Sequence, residues 1–195
     1  MAAFVLGNGE SRATIDVDHL MTLGPVYGCN ALYRTHAVTA LVATDRPIAD
    51  EIQASGYSAH NRFYTRRPQP GTGAQTVPRP YFGYSSGPIA LALAAAESPG
   101  SRIYLLGFDL GPNQSGRFNN LFAGTEHYKK IEAGPTFTGN WIRQLVRVMQ
   151  DHSDRQFVRV HGRTTAAVTE FEAVRNHSWV DLGEFERRIN TPKDL

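Results

Sequence analysis

The chain has a single cysteine, Cys29, among its 195 residues. One thiol cannot form an intrachain disulfide or supply the cysteine cluster of a structural zinc site, and scarce cysteine suits a reducing compartment. The sequence therefore predicts a cytoplasmic protein in which Cys29 is a small, buried apolar residue.

Long apolar runs and an excess of charge of one sign are also lacking. The longest apolar run, Ile89 to Ala96, is far shorter than the roughly 20 residues that span a bilayer, and the N-terminus does not resemble a signal peptide. The 20 basic and 18 acidic residues give a formal net charge of +2, which is too small to steer the chain onto nucleic acid. We expect no membrane span and no nucleic-acid partner, and the oligomeric state stays open.

The first informative segment runs from Phe4 to Arg12 and is an apolar run that ends in a glycine-rich turn. Gly7 and Gly9 allow a sharp bend and a close approach of the backbone to a ligand, while Asn8 and Ser11 offer side-chain hydrogen bonds beside free amides. This pattern is typical of the first strand and ligand loop of a nucleotide-binding α/β sheet. The alternative is a strand followed by an ordinary turn.

Further apolar segments alternate with helical patterns along the whole chain. We predict strands at 25–30, 41–45, 62–65, 103–110 and 156–160, and helices at 48–55, 85–97, 141–149 and within 178–188. This rhythm predicts one α/β domain over residues 1–195, a Rossmann-like three-layer sandwich with a mostly parallel sheet. In such a sheet ligands bind outside the carboxyl ends of the strands, so Asn8, Asn30 and Asp45 are expected along one crevice. Each could instead be a turn residue.

The helix predicted at 85–97 has serines at its start, a proline in its first turn and an alanine-rich body. Its N-terminus presents backbone amides and a positive partial charge beside Ser86 and Gly87, an arrangement suited to phosphate. The strand that follows carries Gly107 and Asp109 at its end, which places them near the same crevice.

Two segments lack a clear period. Residues 66–84 form a predicted loop rich in proline and glycine, whose arginines are expected to be solvated rather than to bind phosphate. Residues 111–135 are polar and form a predicted insertion, which is either a lid over the crevice or a structural excursion.

Asp16 and Asp18 form a D-x-D pair of the kind that holds a divalent metal against a diphosphate in some glycosyltransferases. Here the pair lies in a polar turn rather than at the end of a strand, so helix capping is the preferred interpretation. We expect no metal site and no required cofactor.

Two nucleotide-binding motifs are incomplete or missing. The phosphate loop G-x-x-x-x-G-K-[ST] does not occur, which counts against an ordinary ATPase or GTPase. In the dinucleotide fingerprint G-x-G-x-x-G, Arg12 stands in the place of the third glycine, and the second predicted strand ends at Asn30 without a nearby carboxylate for the ribose. Both departures disfavour NAD and FAD and favour a mononucleotide or a nucleotide-sugar.

Three separated elements resemble the lipooligosaccharide sialyltransferases of glycosyltransferase family 42. They are Gly7-Asn-Gly-Glu-Ser11, Cys29-Asn30, and Ser86-Gly87 followed by Ile103-Tyr-Leu-Leu-Gly-Phe-Asp109, in the family's order over roughly the first 110 residues. The whole chain also resembles bacteriophage proteins of uncharacterised function that carry the same pattern.

The resemblance implies a Rossmann-like domain that binds a CMP-sugar without metal and transfers the sugar to an acceptor hydroxyl, as on a glycan. By this analogy Asn8, Gly9 and Ser11 meet the phosphate or sugar side, and Asn30 meets the nucleoside. Ser86 and Gly87 meet the phosphate or the sugar carboxylate, while Gly107 and Asp109 shape the base and ribose pocket.

The family's catalytic histidine precedes the helix that follows this last strand. Residues 134–140 of this chain contain no histidine. The nearest, His127, lies in the inserted segment and is the candidate general base, with His161 a weaker candidate. Two alternatives stay open, a binding module without turnover and an enzyme of pyrophosphate transfer that would use Asp16 and Asp18 with magnesium.

Overall fold

Short apolar segments pair side by side into one parallel sheet, which in the described residues has eight strands. The computed structural model describes residues 2–191 and residue 195. The strands are Ala2–Leu6 (β1), Val26–Cys29 (β2), Ala40–Val42 (β3), Phe63–Thr65 (β4), Gln75–Thr76 (β5), Arg102–Leu106 (β6), Gln156–His161 (β7) and His177–Asp181 (β8). Their order is β5-β4-β3-β2-β1-β6-β7-β8, and every neighbouring pair is parallel.

Helices cover both faces of this sheet. Within residues 2–191 they are Val17–Leu23 (α1), Arg46–Ala54 (α2), Tyr57–His60 (α3), Ser86–Glu97 (α4), Gly139–Asp151 (α5), Thr169–Glu172 (α6) and Leu182–Ile189 (α7). The longest, α5, has 13 residues and an arginine-bearing outer face. In this part of the chain no helix has the length and apolar character needed to cross a membrane.

Alternation along the strands builds two separate apolar cores. In β1, Ala3 and Val5 belong to the core that contains α4, α5 and α6, whereas Phe4 and Leu6 belong to the core that contains α1, α2 and α7. All five residues of β1 are buried, as expected for a parallel strand covered on both faces. The predicted Rossmann-like three-layer α/β fold is confirmed, with a sheet that is parallel throughout.

The order of the strands reverses between β1 and β6. The chain runs outward from β1 to β5, then passes through α4 and continues with β6 on the other side of β1. At such a reversal the loops that follow the two central strands diverge to opposite faces of the sheet and leave a crevice. The loops at residues 7–9 and 107–109 flank this point.

One sequence prediction was wrong and another was incomplete. Residues 156–160 are not the final strand, because β8 follows and occupies part of the tail that was assigned only a short helix. As an edge strand with exposed Ser178 and Trp179, β8 lacks the apolar run that reveals central strands. The loop at 66–84 contains the two-residue strand β5 and a 3₁₀ turn at Tyr81–Gly83, both too short to give a period.

His177, on β8, lies in surroundings that disfavour its protonation. The centroid of its ring lies 5.0 Å from the centroid of the Phe171 ring. Its Nε2 atom is buried and has no hydrogen-bond partner among the described residues. Burial, with smaller contributions from Arg159 and His161, lowers the pKa of His177 from 6.5 to about 4. The neutral ring is therefore the form that the fold accommodates.

We expect the free energy of unfolding to fall as the pH drops from about 6.5 towards 4, because the unfolded state gains a proton that the folded state excludes. His177→Phe keeps a ring against Phe171 and removes this titration. Between pH 7 and pH 5 the free energy of unfolding of His177→Phe should fall by about 1 kcal/mol less than that of the wild type. This figure is smaller than the full pKa shift implies, because His177 is partly exposed to solvent. Urea unfolding at both pH values measures the difference, with the exposed His60→Gln as control. Equal losses in the wild type and His177→Phe would contradict this role.

Candidate functional site

A cavity of about 750 Å³ lies outside the carboxyl ends of β1, β2, β3 and β6. Its walls are the loops after these strands, the first turns of α2, α4 and α5, and parts of the irregular segment between β6 and α5. The volume falls within the roughly 300 to 1,000 Å³ typical of small-molecule sites, and the position is the topological switch point where ligands bind in open parallel sheets.

Most of the residues singled out from the sequence meet in this cavity. It is lined by Asn8, Gly9, Asn30, Asp45, Ser86, Gly87, Gly107, Asp109 and His127. Ser11 does not line it. The Ser11 amide instead donates a 3.0 Å hydrogen bond to Asp109 Oδ2, and its hydroxyl donates to Asp109 Oδ1.

The floor of the cavity is a close contact between two glycine-containing loops. A Cβ atom on Gly7 would lie 2.4 Å from the carbonyl oxygen of Gly107, and one on Gly9 would lie 2.4 Å from the Asp109 carboxyl carbon. Gly107 itself has a φ of 69°, which favours glycine. The close contact between the loops that follow β1 and β6 requires these glycines.

Asp109 is 3% exposed and its carboxylate is already engaged by the protein. Besides the two bonds from Ser11, Asp109 Oδ2 accepts a 2.6 Å hydrogen bond from Thr164 Oγ1. The backbone carbonyls of Phe108 and Asp109 accept hydrogen bonds from the buried guanidinium of Arg159. Asp109 thus fixes the shape of the floor through its protein contacts.

Arg12 fills the space that the third glycine of a dinucleotide fingerprint would leave open. It is 6% exposed, and its guanidinium donates to the carbonyl of Gly7 and, over 3.3 Å, to Asn8 Oδ1. Burial lowers the pKa of Arg12, although the nearby Cys29 and Asp109 oppose this shift. The arginine orients the Asn8 amide at the cavity wall.

Asn30 combines backbone strain with an unpaired polar atom. It has a φ of 54° at the end of β2, in the left-handed region that is uncommon for residues other than glycine. Its Oδ1 atom is buried and has no hydrogen-bond partner within the part of the chain that the structure describes. Buried polar atoms normally have a partner, and strained residues concentrate at ligand sites. Asn30 is therefore a residue of the cavity wall whose buried Oδ1 acceptor is left unused by the described residues.

The N-terminus of α4 opens on the cavity between β3 and α5. The Ser86 hydroxyl accepts a 3.0 Å hydrogen bond from the Thr44 amide, and the Ser85 amide donates a 2.8 Å bond to Gln144 Oε1. A Cβ on Gly87 would lie 3.2 Å from the Phe108 ring, so glycine keeps this turn close to the floor. The turn offers the positive end of a 12-residue helix to an anion.

Several lining residues were missed by the sequence predictions. They are Thr44, Arg46, Phe108, Phe118, Tyr128, Lys129, Thr136, Thr138 and Trp141. Most belong to the segment before α5, which has no periodicity and whose contacts are long-range. The only sequence signal was the position of this segment, just after the carboxyl end of a strand.

The segment between β6 and α5 is fastened to the sheet by specific contacts. The Leu121 amide donates a 2.8 Å hydrogen bond to the Asn8 carbonyl, and the Tyr128 hydroxyl accepts a 3.1 Å bond from the Ala31 amide. Arg34 donates to the Glu126 carbonyl over 3.2 Å. The segment forms a wall of the cavity in this arrangement.

His127 lines the cavity and is held by Glu51 of α2. Its Nε2 atom lies 3.0 Å from Glu51 Oε2, its side chain is 28% exposed, and its φ is 66°. Glu51 also forms a 2.8 Å ion pair with Arg34 and accepts from the Tyr33 hydroxyl. Although burial raises the pKa of Glu51, the bonds from Tyr33 and Arg34 and the nearby charges produce a net lowering. A carboxylate is therefore kept against the His127 ring.

Two groups of side chains could hold a metal ion, the cluster around His127 and the pair Asp16 and Asp18. Glu51, Glu126 and His127 place potential ligand atoms within 4.8 Å of one another, but the ion pair with Arg34 offsets the negative charge that a divalent cation requires. Asp16 caps α1, accepting a 3.0 Å hydrogen bond from the His19 amide, as the capping interpretation predicted.

Glu51→Ala should loosen the segment that carries His127, because it removes the anion shared by Tyr33, Arg34 and His127 at once. We expect amide hydrogen exchange at residues 121–128 to become at least about tenfold faster, which corresponds to about 1.4 kcal/mol of local opening. Hydrogen-exchange mass spectrometry measures this rate. Glu126→Ala, which removes a carboxylate that is 79% exposed, is the matched control. Unchanged exchange in Glu51→Ala would show that the contact does not hold the segment.

No family model, curated protein or solved structure matches the chain.

Proposed function

We propose that the protein binds a CMP-sugar in this cavity and transfers the sugar, without a metal ion, to an acceptor hydroxyl. The observation that carries the proposal is the meeting, at the topological switch point, of the α4 N-terminus with Asn8 and with the unpaired, strained Asn30. The start of α4, which suits an anion, and a buried acceptor without a protein partner thus line one cavity, whose volume is within the range typical of small-molecule sites.

These two features suggest how the donor is oriented. The phosphate lies against the first turn of α4 at Ser86 and Gly87, and the exposed cations Arg46 and Lys129 line the same cavity. The nucleoside lies towards Asn30, whose free acceptor suits the exocyclic amino group of cytosine, and towards Asp45. The sugar then faces the wall that contains His127.

In this proposal His127 is the general base. With Nε2 bound to Glu51, the other ring nitrogen accepts the proton of the acceptor hydroxyl. The hydroxyl oxygen forms a bond to the anomeric carbon, the bond from that carbon to the phosphate oxygen breaks, and CMP leaves with the electron pair. The helix N-terminus stabilises the negative charge that develops on the departing phosphate.

Calorimetric titration with cytidine, uridine and guanosine mono- and diphosphates tests the binding half. We expect CMP to bind, and absence of binding across the panel would reject the proposal. Turnover of CMP-sugars tests the chemical half. His127→Ala should reduce it at least about 100-fold, as for loss of a general base, while the exposed His60→Ala should not change it.

A second candidate is a nucleotide-binding module without turnover, favoured by the Glu51 contact. The contact between His127 and Glu51 that would orient a base also attaches the segment carrying His127 to α2. Binding of CMP together with neither transfer nor hydrolysis across the donor panel would favour this candidate. Turnover that is abolished by His127→Ala would exclude it.

A further inference from the structure

Asp45 brings to the cavity a carboxylate that the protein itself does not use. It follows β3, precedes the first residue of α2 and lines the cavity. Asp16 and Asp181, which stand at the same position before α1 and α7, each accept a hydrogen bond from an amide of their helix. The Asp45 side chain makes no such bond, and within the part of the chain that the structure describes it has no hydrogen-bond or ion-pair partner. Helix capping therefore does not account for this carboxylate.

The carboxylate of Asp45 acts on groups at the neighbouring end of β2. Burial raises the pKa of Cys29, the last residue of β2, and the Asp45 charge adds to this shift while Arg12 opposes it. Burial also raises the pKa of Tyr128, and the Asp45 charge again contributes in the same direction. Both Cys29 and Tyr128 line the cavity. Because electrostatic effects weaken with distance, the carboxylate lies on the cavity side of α2, near these two residues.

The hydrogen-bonding groups at this end of the cavity are of both kinds. The Tyr128 hydroxyl accepts a 3.1 Å bond from the Ala31 amide, and its own proton has no acceptor among the described residues. A ligand here would meet two acceptors, the Asp45 carboxylate and Asn30 Oδ1, together with one donor, the Tyr128 hydroxyl. An ammonium group would match the acceptors only. Hydroxyl groups match all three, because each can donate one hydrogen bond and accept others.

We propose that the Asp45 carboxylate binds the two neighbouring hydroxyls of a ribose and makes the cavity selective for ribonucleotides over 2′-deoxyribonucleotides. The inference rests on the proposed function, since it places the ribose of the same nucleotide. In dinucleotide-binding sheets an acidic residue after the second strand accepts from these hydroxyls. Here β2 is followed by Asn30, and the acidic residue follows β3, the strand paired with β2. Its chain neighbour Arg46 pairs with Asp50 at 3.3 Å, which leaves the Asp45 carboxylate to the ligand.

Calorimetric titration with matched pairs of ribo- and 2′-deoxyribonucleoside monophosphates, covering cytosine, uracil, guanine and adenine, tests the ribose assignment. We expect CMP to bind the wild type about 5- to 10-fold more tightly than 2′-deoxy-CMP, the effect of losing one hydrogen bond to a charged group that is exposed. In Asp45→Ala this ratio should fall below about 2-fold. Asp45→Asn, which keeps one acceptor oxygen and a good N-cap residue for α2, should give an intermediate ratio. The ratio is the readout because loss of a negative charge strengthens the binding of both phosphates alike.

Asp18→Ala is the matched control, since Asp18 is an exposed aspartate in the first turn of α1 that does not line the cavity. It should leave the ratio unchanged. Equal binding of CMP and 2′-deoxy-CMP by the wild type, an unchanged ratio in Asp45→Ala, or the same loss in Asp18→Ala would each overturn the ribose assignment while CMP binding still stands. If only a purine pair binds, with a ribose preference that Asp45→Ala abolishes, the ribose assignment holds and the proposed function fails. No binding by any nucleotide would reject both.

Discussion

Gly7→Ala is expected to destabilise the fold by about 3 kcal/mol or more, among the largest effects of a single methyl group in this chain. The added Cβ would lie 2.4 Å from the carbonyl oxygen of Gly107 and 2.9 Å from its carbonyl carbon. That oxygen also accepts a 2.8 Å hydrogen bond from the Gly9 amide. Because the obstructing atoms are backbone, relief requires β1 and β6 to separate at the floor of the cavity.

Urea unfolding of purified variants measures this effect. Gly134→Ala is the matched control, because a Cβ at Gly134 would meet no atom within 4 Å and its φ lies outside the left-handed region. We expect the control to change the free energy of unfolding by no more than about 0.5 kcal/mol. A Gly7→Ala protein as stable as Gly134→Ala would show that the two loops are not in contact.

Asp109→Ala is expected to destabilise the protein by about 3 kcal/mol. The substitution removes the acceptor of the Ser11 amide, the Ser11 hydroxyl and the Thr164 hydroxyl. It also removes a negative charge near the guanidinium groups of Arg12 and Arg159, whose pKa values are lowered by burial, a shift that the Asp109 carboxylate opposes. The donors on Ser11 and Thr164 would lose their acceptor, and the two guanidinium groups would keep their other hydrogen-bond partners but lose a nearby negative charge.

Thermal and urea unfolding of Asp109→Ala and Asp109→Asn separate these contributions. Asparagine keeps an acceptor oxygen and loses the charge, so its effect should be intermediate. Asp154→Ala, which removes an aspartate whose side chain is 70% exposed, should change stability by no more than about 0.5 kcal/mol. If Asp109→Ala matched this control, the carboxylate would have no structural role.

Burial explains which parts of the fold could be predicted from the sequence. Strand β1 and helix α4 are surrounded by the sheet and its neighbours, so their side chains are apolar on all sides and their glycine and serine boundaries stand out. β8 could not be found in this way, because an edge strand with exposed residues carries little apolar pattern. The Rossmann-like architecture could be predicted because it is defined by buried elements such as β1 and α4.

Some residues of the cavity could likewise be predicted from the sequence, and others could not. Asn8, Asn30 and Ser86 could be assigned to one crevice because each follows a strand or begins a helix, and topology brings such positions together. The engagement of Ser11 by Asp109 could not be predicted, since these residues are 98 positions apart and either could have faced a ligand. Lys129 and Trp141 were not assigned to the cavity from the sequence for the same reason. Their positions depend on the path of an irregular segment, which has no periodic pattern.

The most direct test of the central claim is a crystal structure of the protein soaked with CMP. We predict the phosphate within hydrogen-bond distance of the backbone amides of Ser86 and Gly87, and the cytosine within hydrogen-bond distance of Asn30 Oδ1. A nucleotide bound elsewhere on the protein, or no nucleotide in the cavity at millimolar CMP, would contradict the account.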